Sequence, residues 1–173
     1  MTLVELMIAV TVLLFGLLGF THAILRAVAT NEATRESAIA GEAARQMLET
    51  LQATGFDQVF RLYNRSADDD PAGPGTAPGA AFAVPGLEPV EGDPDGLVGE
   101  IVFPAPDALP AMLREDLTSA ALGTPRDLDG DGLIDGFDHS TDYRLLPVVV
   151  RLVWRGTSGV TRAEFRTLLG DYL

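Results

Sequence analysis

Twenty consecutive residues from Leu6 to Leu25, LMIAVTVLLFGLLGFTHAIL, carry no formal charge. As a helix they reach about 30 Å, the thickness of a bilayer's hydrocarbon core. A cleavable secretory signal has a basic start, a shorter apolar run and a small-residue cleavage site, and none of these occurs here. Helical patterning continues beyond the apolar run, with no proline before Pro71. Past Arg26, Ile39, Ala43, Met47 and Leu51 recur at spacing four with Ala40, Ala44 and Leu48 alongside, while Glu32, Arg35, Glu42, Arg45 and Glu49 face away. The pattern predicts one helix to about Thr54 capped by Gly55, apolar all round in residues 1–25 and striped thereafter. Ordinary helices average about 11 residues, so this one calls for a membrane span, a coiled coil or a filament core.

The last third alternates instead. In RLLPVVVRLVWR, Val148, Val150, Leu152 and Trp154 share one face and Val149, Arg151, Val153 and Arg155 the other. A turn over Gly156–Gly159 leads into a second strand, Val160–Leu169, with Ala163, Phe165 and Thr167 opposite Arg162, Glu164 and Arg166. Leu97–Phe103 reads as a further strand, and Asp107–Leu122 as a short helix with Leu109, Met112, Leu113 and Leu117 inward. A hairpin alone is marginal, so its apolar face is expected on the stripe Ile39–Leu51. The fold class is therefore α+β: a long N-terminal helix packed through its second half on a small antiparallel sheet.

Between these parts, residues 64–96 turn to Pro, Gly, Ala and Asp without a sustained period, a long variable surface loop. Asn64-Arg65-Ser66 within it fits a glycosylation acceptor. The division is thus a membrane or filament-core half-helix, 1–25, and a globular head, 26–173.

Charge sharpens the picture. The net charge of -13 splits into about -1 for residues 1–65, -15 for 66–142 and +3 for 143–173, and all 12 basic residues are arginine. No basic patch on the head suits a nucleic-acid backbone. Cysteine is absent, so neither disulfides nor thiolate chemistry contribute. Two isolated histidines and no nucleophile with a matching base leave nothing that reads as an enzyme.

The sharpest local motif is DLDGDGLIDGFD, residues 127–138. Asp127, Asp129 and Asp131 alternate, Gly132 allows a sharp turn, and Asp135 and Asp138 follow, the pattern of a twelve-residue calcium loop. Alternate carboxylates converge on one cavity, Leu133 offers its backbone carbonyl, and the later acids close the shell around a hard cation. The predicted cofactor is Ca2+; Mg2+ is disfavoured by its tight octahedral geometry. His139 borders the loop as a bystander, since calcium takes oxygen. Across these residues the motif resembles the aspartate-rich repeats of thrombospondin-like and dockerin-like proteins. No helices bracket it, so the expectation is the loop and not a full EF-hand.

Glu5 stands alone before the uncharged span, and a carboxylate there is costly to bury without a partner. The start MTLVELMIAVTVLLFGLLGF resembles the N-terminal signature of type IV pilins and pseudopilins. The resemblance implies removal of a short leader, methylation of the new N-terminus at Met1, and pairing of Glu5 with the Met1 amine of a neighbouring subunit. Major pilins often carry a proline near position 22, where this chain has His22. The ending VVVRLVWRGTSGVTRAEFRTLL resembles the C-terminal hairpin of certain minor pilins and minor pseudopilins. The function that the resemblance implies is that of a structural subunit that waits in the inner membrane and is then built, with copies of itself or related pilins, into a surface filament or periplasmic pseudopilus. The alternatives are a minor pilin or type II secretion pseudopilin, and a membrane-anchored, calcium-dependent adhesion protein that never polymerises.

Overall fold

The computed structural model describes residues 2–106, 110–157 and 159–171. Helix α1 runs Leu3–Ala53, α2 Phe56–Tyr63, and four strands complete the fold: β1 Ala81–Phe82, β2 Gly99–Val102, β3 Leu145–Gly156 and β4 Gly159–Gly170. The strands form one antiparallel sheet in the order β1-β2-β3-β4. A long helix against a four-stranded antiparallel sheet is the α+β, pilin-like arrangement expected from the sequence.

The helix divides as its pattern predicts. Its most apolar window has no buried residue, whereas Ala40, Ala44 and Leu51 are buried and Ile39, Ala43, Met47 and Leu48 pack against the same core. Small alanines at the crossing let the helix approach the sheet, where Val148, Val150, Leu152 and Trp154 present their side chains. Trp154, 2% exposed, donates its indole N–H to Glu36 Oε2 at 3.2 Å. The one polar atom of this large side chain is thus satisfied by the helix it packs on.

The helix ends one residue earlier than expected. Thr54, not Gly55, is the C-terminal cap of α1, and Gly55 at φ -54 is the N-cap of α2. Its backbone is in a region open to any residue, so no left-handed glycine cap is formed. No sustained period predicts α2, although Val59, Phe60 and Tyr63 are its buried face. Phe60 meets Phe103 edge-on at 5.4 Å, and Tyr143 donates to the Phe56 carbonyl at 2.6 Å.

The hairpin registers as the alternation requires, with Val148 opposite Thr167, Val150 opposite Phe165 and Leu152 opposite Ala163. Pro147 precedes Val149, where pairing with β2 begins, so its missing donor leaves no gap in that ladder. Across the outer face Arg151 bridges Glu100 at 3.3 Å and Glu164 at 3.1 Å, tying β2, β3 and β4 together. Val149 on this face is nevertheless buried, and Arg166 donates to the Ala120 carbonyl at 3.3 Å, so the segment around Ala120 lies over part of it.

Two expectations for the middle of the chain need correction. Of the helix predicted over Asp107–Leu122, residues 107–109, Leu109 included, lie outside the described residues, and residues 110–122 form no helix. Their backbone is spent on distant partners: Arg114 N–H bonds Pro104 O, Asp116 N–H bonds Asp135 O, and His139 N–H bonds Leu113 O. Leu113 is buried as expected, with Met112 and Leu117 only partly so. Residues 64–96 are mostly irregular, but they contribute β1 and bury Ala80, Val84 and Leu87 in the head. Asn64 and Ser66 are themselves buried, and Asn64 Nδ2 bonds Asp69 at 2.6 Å, so the glycosylation-like triplet is structural.

Gly99 shows how closely the head is fitted. It pairs with Phe82, whose ring lies where a Cβ on Gly99 would stand. Gly99→Ala is expected to cost about 1 to 3 kcal/mol by displacing that ring. Chemical denaturation of the detergent-solubilised chain, followed by the fluorescence of Trp154, the single tryptophan, measures it.

Candidate metal centre

The acidic motif lies between the extended segment 110–116 and the start of β3. Leu128, fully buried inside the motif, anchors it to the core, and its carbonyl accepts from Arg144 at 2.7 Å and Leu145 at 2.9 Å. The glycines serve the turn: Gly130 and Gly132 have φ of +82 and +88, where side chains are strained. Asp127 accepts from both, Oδ1 from Gly130 N–H at 2.6 Å and Oδ2 from Gly132 N–H at 2.9 Å.

The residue that organises the motif is Glu115, which the calcium pattern did not include. It is 1% exposed. Oε1 accepts from the N–H groups of Leu128 and Asp129, and Oε2 from that of Asp135 at 3.2 Å. Three amides thus solvate a carboxylate that burial would otherwise penalise. The sequence signal for it is alternation: Leu113 and Glu115 are buried while Arg114 and Asp116 are not, the period of a strand where a helix was predicted.

Of the predicted ligands, Asp127, Asp129 and Asp135 enter groups whose donor atoms lie within 4.8 Å of one another. Asp127 and Asp129 do so with Glu115, and Asp135 with Glu115 and His139. Asp131 is exposed and accepts from Leu133 N–H at 2.7 Å. Asp138 is occupied elsewhere, Oδ1 bonding Leu113 N–H and Ser140 N–H, both at 3.0 Å, and Oδ2 the Ser140 hydroxyl. Leu133 is 65% exposed and, with Ile134 and Phe137, forms an apolar tip on the loop. The oxygen donors of Glu115, Asp127 and Asp129 are of the kind that could hold a hard cation, and Glu115 would then stand in the closing place that the motif assigns to Asp138.

His139 is no bystander in the geometry. It is buried, its Nε2 3.2 Å from Asp135, and Glu115, Asp129 and Asp142 surround the ring. Burial disfavours its charged form, but the Asp135 hydrogen bond and the charges of Glu115, Asp142 and Asp129 outweigh burial and raise its pKa above the ordinary 6.5. Hydrogen bonds from Gly130 N–H, above all, hold Asp127 below the usual carboxylate value, and Phe137 N–H does the same for Asp135.

At the other end of the molecule, Glu5 is exposed and forms a capping box with Thr2, each side chain facing the other's backbone N–H at 3.3 and 3.4 Å. Met1, its predicted assembly partner, lies outside the described residues.

Glu115→Gln is expected to destabilise the head by about 2 to 4 kcal/mol, because an amide N–H2 would face backbone donors in a buried site. Trp154 fluorescence during denaturation checks it. In chelator, His139 contributes stability that is complete below about pH 6.5 and is lost as pH rises through its raised folded value. Melting temperature against pH should fall over that window in the parent and stay flatter in His139→Gln. No protein-family model matches the chain, and neither a curated protein nor a solved structure does.

Proposed function

We propose that this protein is a structural subunit of a type IV pilus-like filament, held in a membrane by the first half of α1 until it is assembled. The observation that carries the reading is the division of one helix between two media. Its first half is bare on every side, and its second half is the spine of a folded head. A helix long and apolar enough to cross a membrane is compatible with anchoring. In assembly the same surface exchanges lipid for the helices of neighbouring subunits, while the head stays outside.

The hydroxyls of Thr11 and Thr21 inside the bare half are already provided for. Thr11 and Thr21 donate to the carbonyls of Met7 and Leu17 at 2.7 and 2.9 Å, leaving no hydroxyl searching for a partner in lipid. Glu5 then carries the assembly step. In a low-dielectric filament core its charge would be matched by a neighbour's terminal amine at Met1. The head's acidic loop is read as a calcium site, with Glu115, Asp127 and Asp129 as the central oxygen donors.

One observation favours the second reading, a membrane-anchored, calcium-dependent adhesion protein: the capping box gives Glu5 a role within its own chain. Glu5→Gln separates the two, because glutamine keeps the capping bond and loses the charge. The filament reading expects membrane insertion to persist and filaments to vanish from electron micrographs, since an unpaired buried amine costs about 3 to 5 kcal/mol. Unchanged filament yield sinks it. For the loop, calcium should raise the melting temperature of the detergent-solubilised chain, and Asp127→Asn with Asp129→Asn should remove the rise. Chelator-insensitive melting of the parent rejects calcium.

A further inference from the structure

The surroundings of His139 are chemically unbalanced on one side of the ring. The residue is 5% exposed. Nε2 bonds Asp135 Oδ1 at 3.2 Å, and Nδ1 has no hydrogen-bond partner. Two carboxylate oxygens nevertheless face Nδ1, Asp142 Oδ1 at 3.3 Å and Asp129 Oδ2 at 3.6 Å. When Nε2 carries the proton given to Asp135, Nδ1 turns a lone pair toward two acceptors. Three electron-rich atoms brought this close repel one another unless a cation stands between them.

We propose that His139 Nδ1, Asp129 and Asp142 form a second cation position, taking a nitrogen-accepting divalent ion of the zinc class beside the oxygen-lined position of Glu115, Asp127 and Asp129. Donor chemistry separates the two. Calcium takes oxygen, whereas imidazole with carboxylates suits zinc and its neighbours. Spacing agrees: ligands about 2.0 to 2.2 Å from a tetrahedral ion lie roughly 3.3 to 3.6 Å apart. The separations of 3.3 and 3.6 Å at Nδ1 fall in that range, and all three donors lie within 4.8 Å of one another.

The far side of the ring fits as well. A metal-bound histidine passes its other N–H to a carboxylate, which fixes tautomer and orientation, and Asp135 occupies that place. Asp142 is 58% exposed at its side chain, so the fourth coordination position opens to water. Asp129 is shared with the oxygen-lined position, but His139 and Asp142 both lie outside the twelve-residue motif, so variants of these two test the second position separately from calcium and from filament assembly.

The test titrates the full-length protein in detergent, with calcium in excess, with Zn2+ against a chromophoric zinc indicator. One zinc per chain is expected, weakened at least about tenfold in Asp142→Asn and lost in His139→Gln. Because Asp142 is exposed, its substitution should leave the fold intact, checked by an unaltered Trp154 emission. X-ray absorption at the zinc edge should show one imidazole nitrogen among oxygens. Equal zinc affinity in the parent and both variants, an all-oxygen shell, or no uptake by the parent overturns the proposal; in the last case a proton on Nδ1 is what balances the carboxylates. Zinc uptake that depends on His139 and Asp142 in a protein whose melting ignores calcium would uphold this site and reject the calcium reading alone.

Discussion

Among the described residues, sixteen large apolar side chains between Leu3 and Val28 stand exposed, with none of the chain's own fold against them. Removing one such side chain from water is worth about 1.5 to 3 kcal/mol. Together they represent tens of kcal/mol, several times the roughly 5 to 15 kcal/mol that holds a whole domain folded. That is the free energy released if the surface passes from water to an apolar medium. A bilayer is a medium compatible with such a surface, and the head packs clear of it. The packed stripe therefore begins only at Ile39, and its contacts fall on β3 and β4.

The same constraint explains what was legible in the sequence. The long helix, its packed stripe and the terminal hairpin are governed by simple periods sustained over many residues, and Ala40, Ala44, Leu51 and Trp154 stand where those periods put them. Short elements escaped. Helix α2 has only 8 residues, and the Gly55 before it reads as an ending when it is also a beginning. The segment after Pro110 has leucines that suit either a helix or a strand. Its conformation is decided by backbone bonds to Pro104, Asp135 and His139, partners that no local pattern contains.

The acidic cluster illustrates the same limit from the chemical side. A spacing motif records acidic groups supplied by neighbours in sequence, so Asp127, Asp129 and Asp135 of the candidate cluster were visible in it. Glu115 enters from a separate segment, and His139 turns into the cluster because its backbone pairs with Leu113. Asp138, predicted to close the shell, is instead what clamps Leu113 N–H and Ser140. The carboxylate at the end of the motif is therefore spent on holding the extended segment 110–116, and that segment brings in Glu115 in exchange.

That exchange couples the loop to the sheet. The carbonyl of Leu128 accepts from Arg144 and Leu145, the residues at which β3 begins, and Leu128 itself is part of the main core. Carboxylates gathered around Glu115 push the loop apart electrostatically, while three backbone amides and the His139 ring hold it together. Any cation, proton or metal, that relieves this repulsion acts directly on the first residues of β3, and β3 is the strand on which α1 rests. The ion balance of the loop thus bears on how firmly the head grips its helix, while the greasy half of that helix, which touches neither loop nor sheet, answers only to the medium around it.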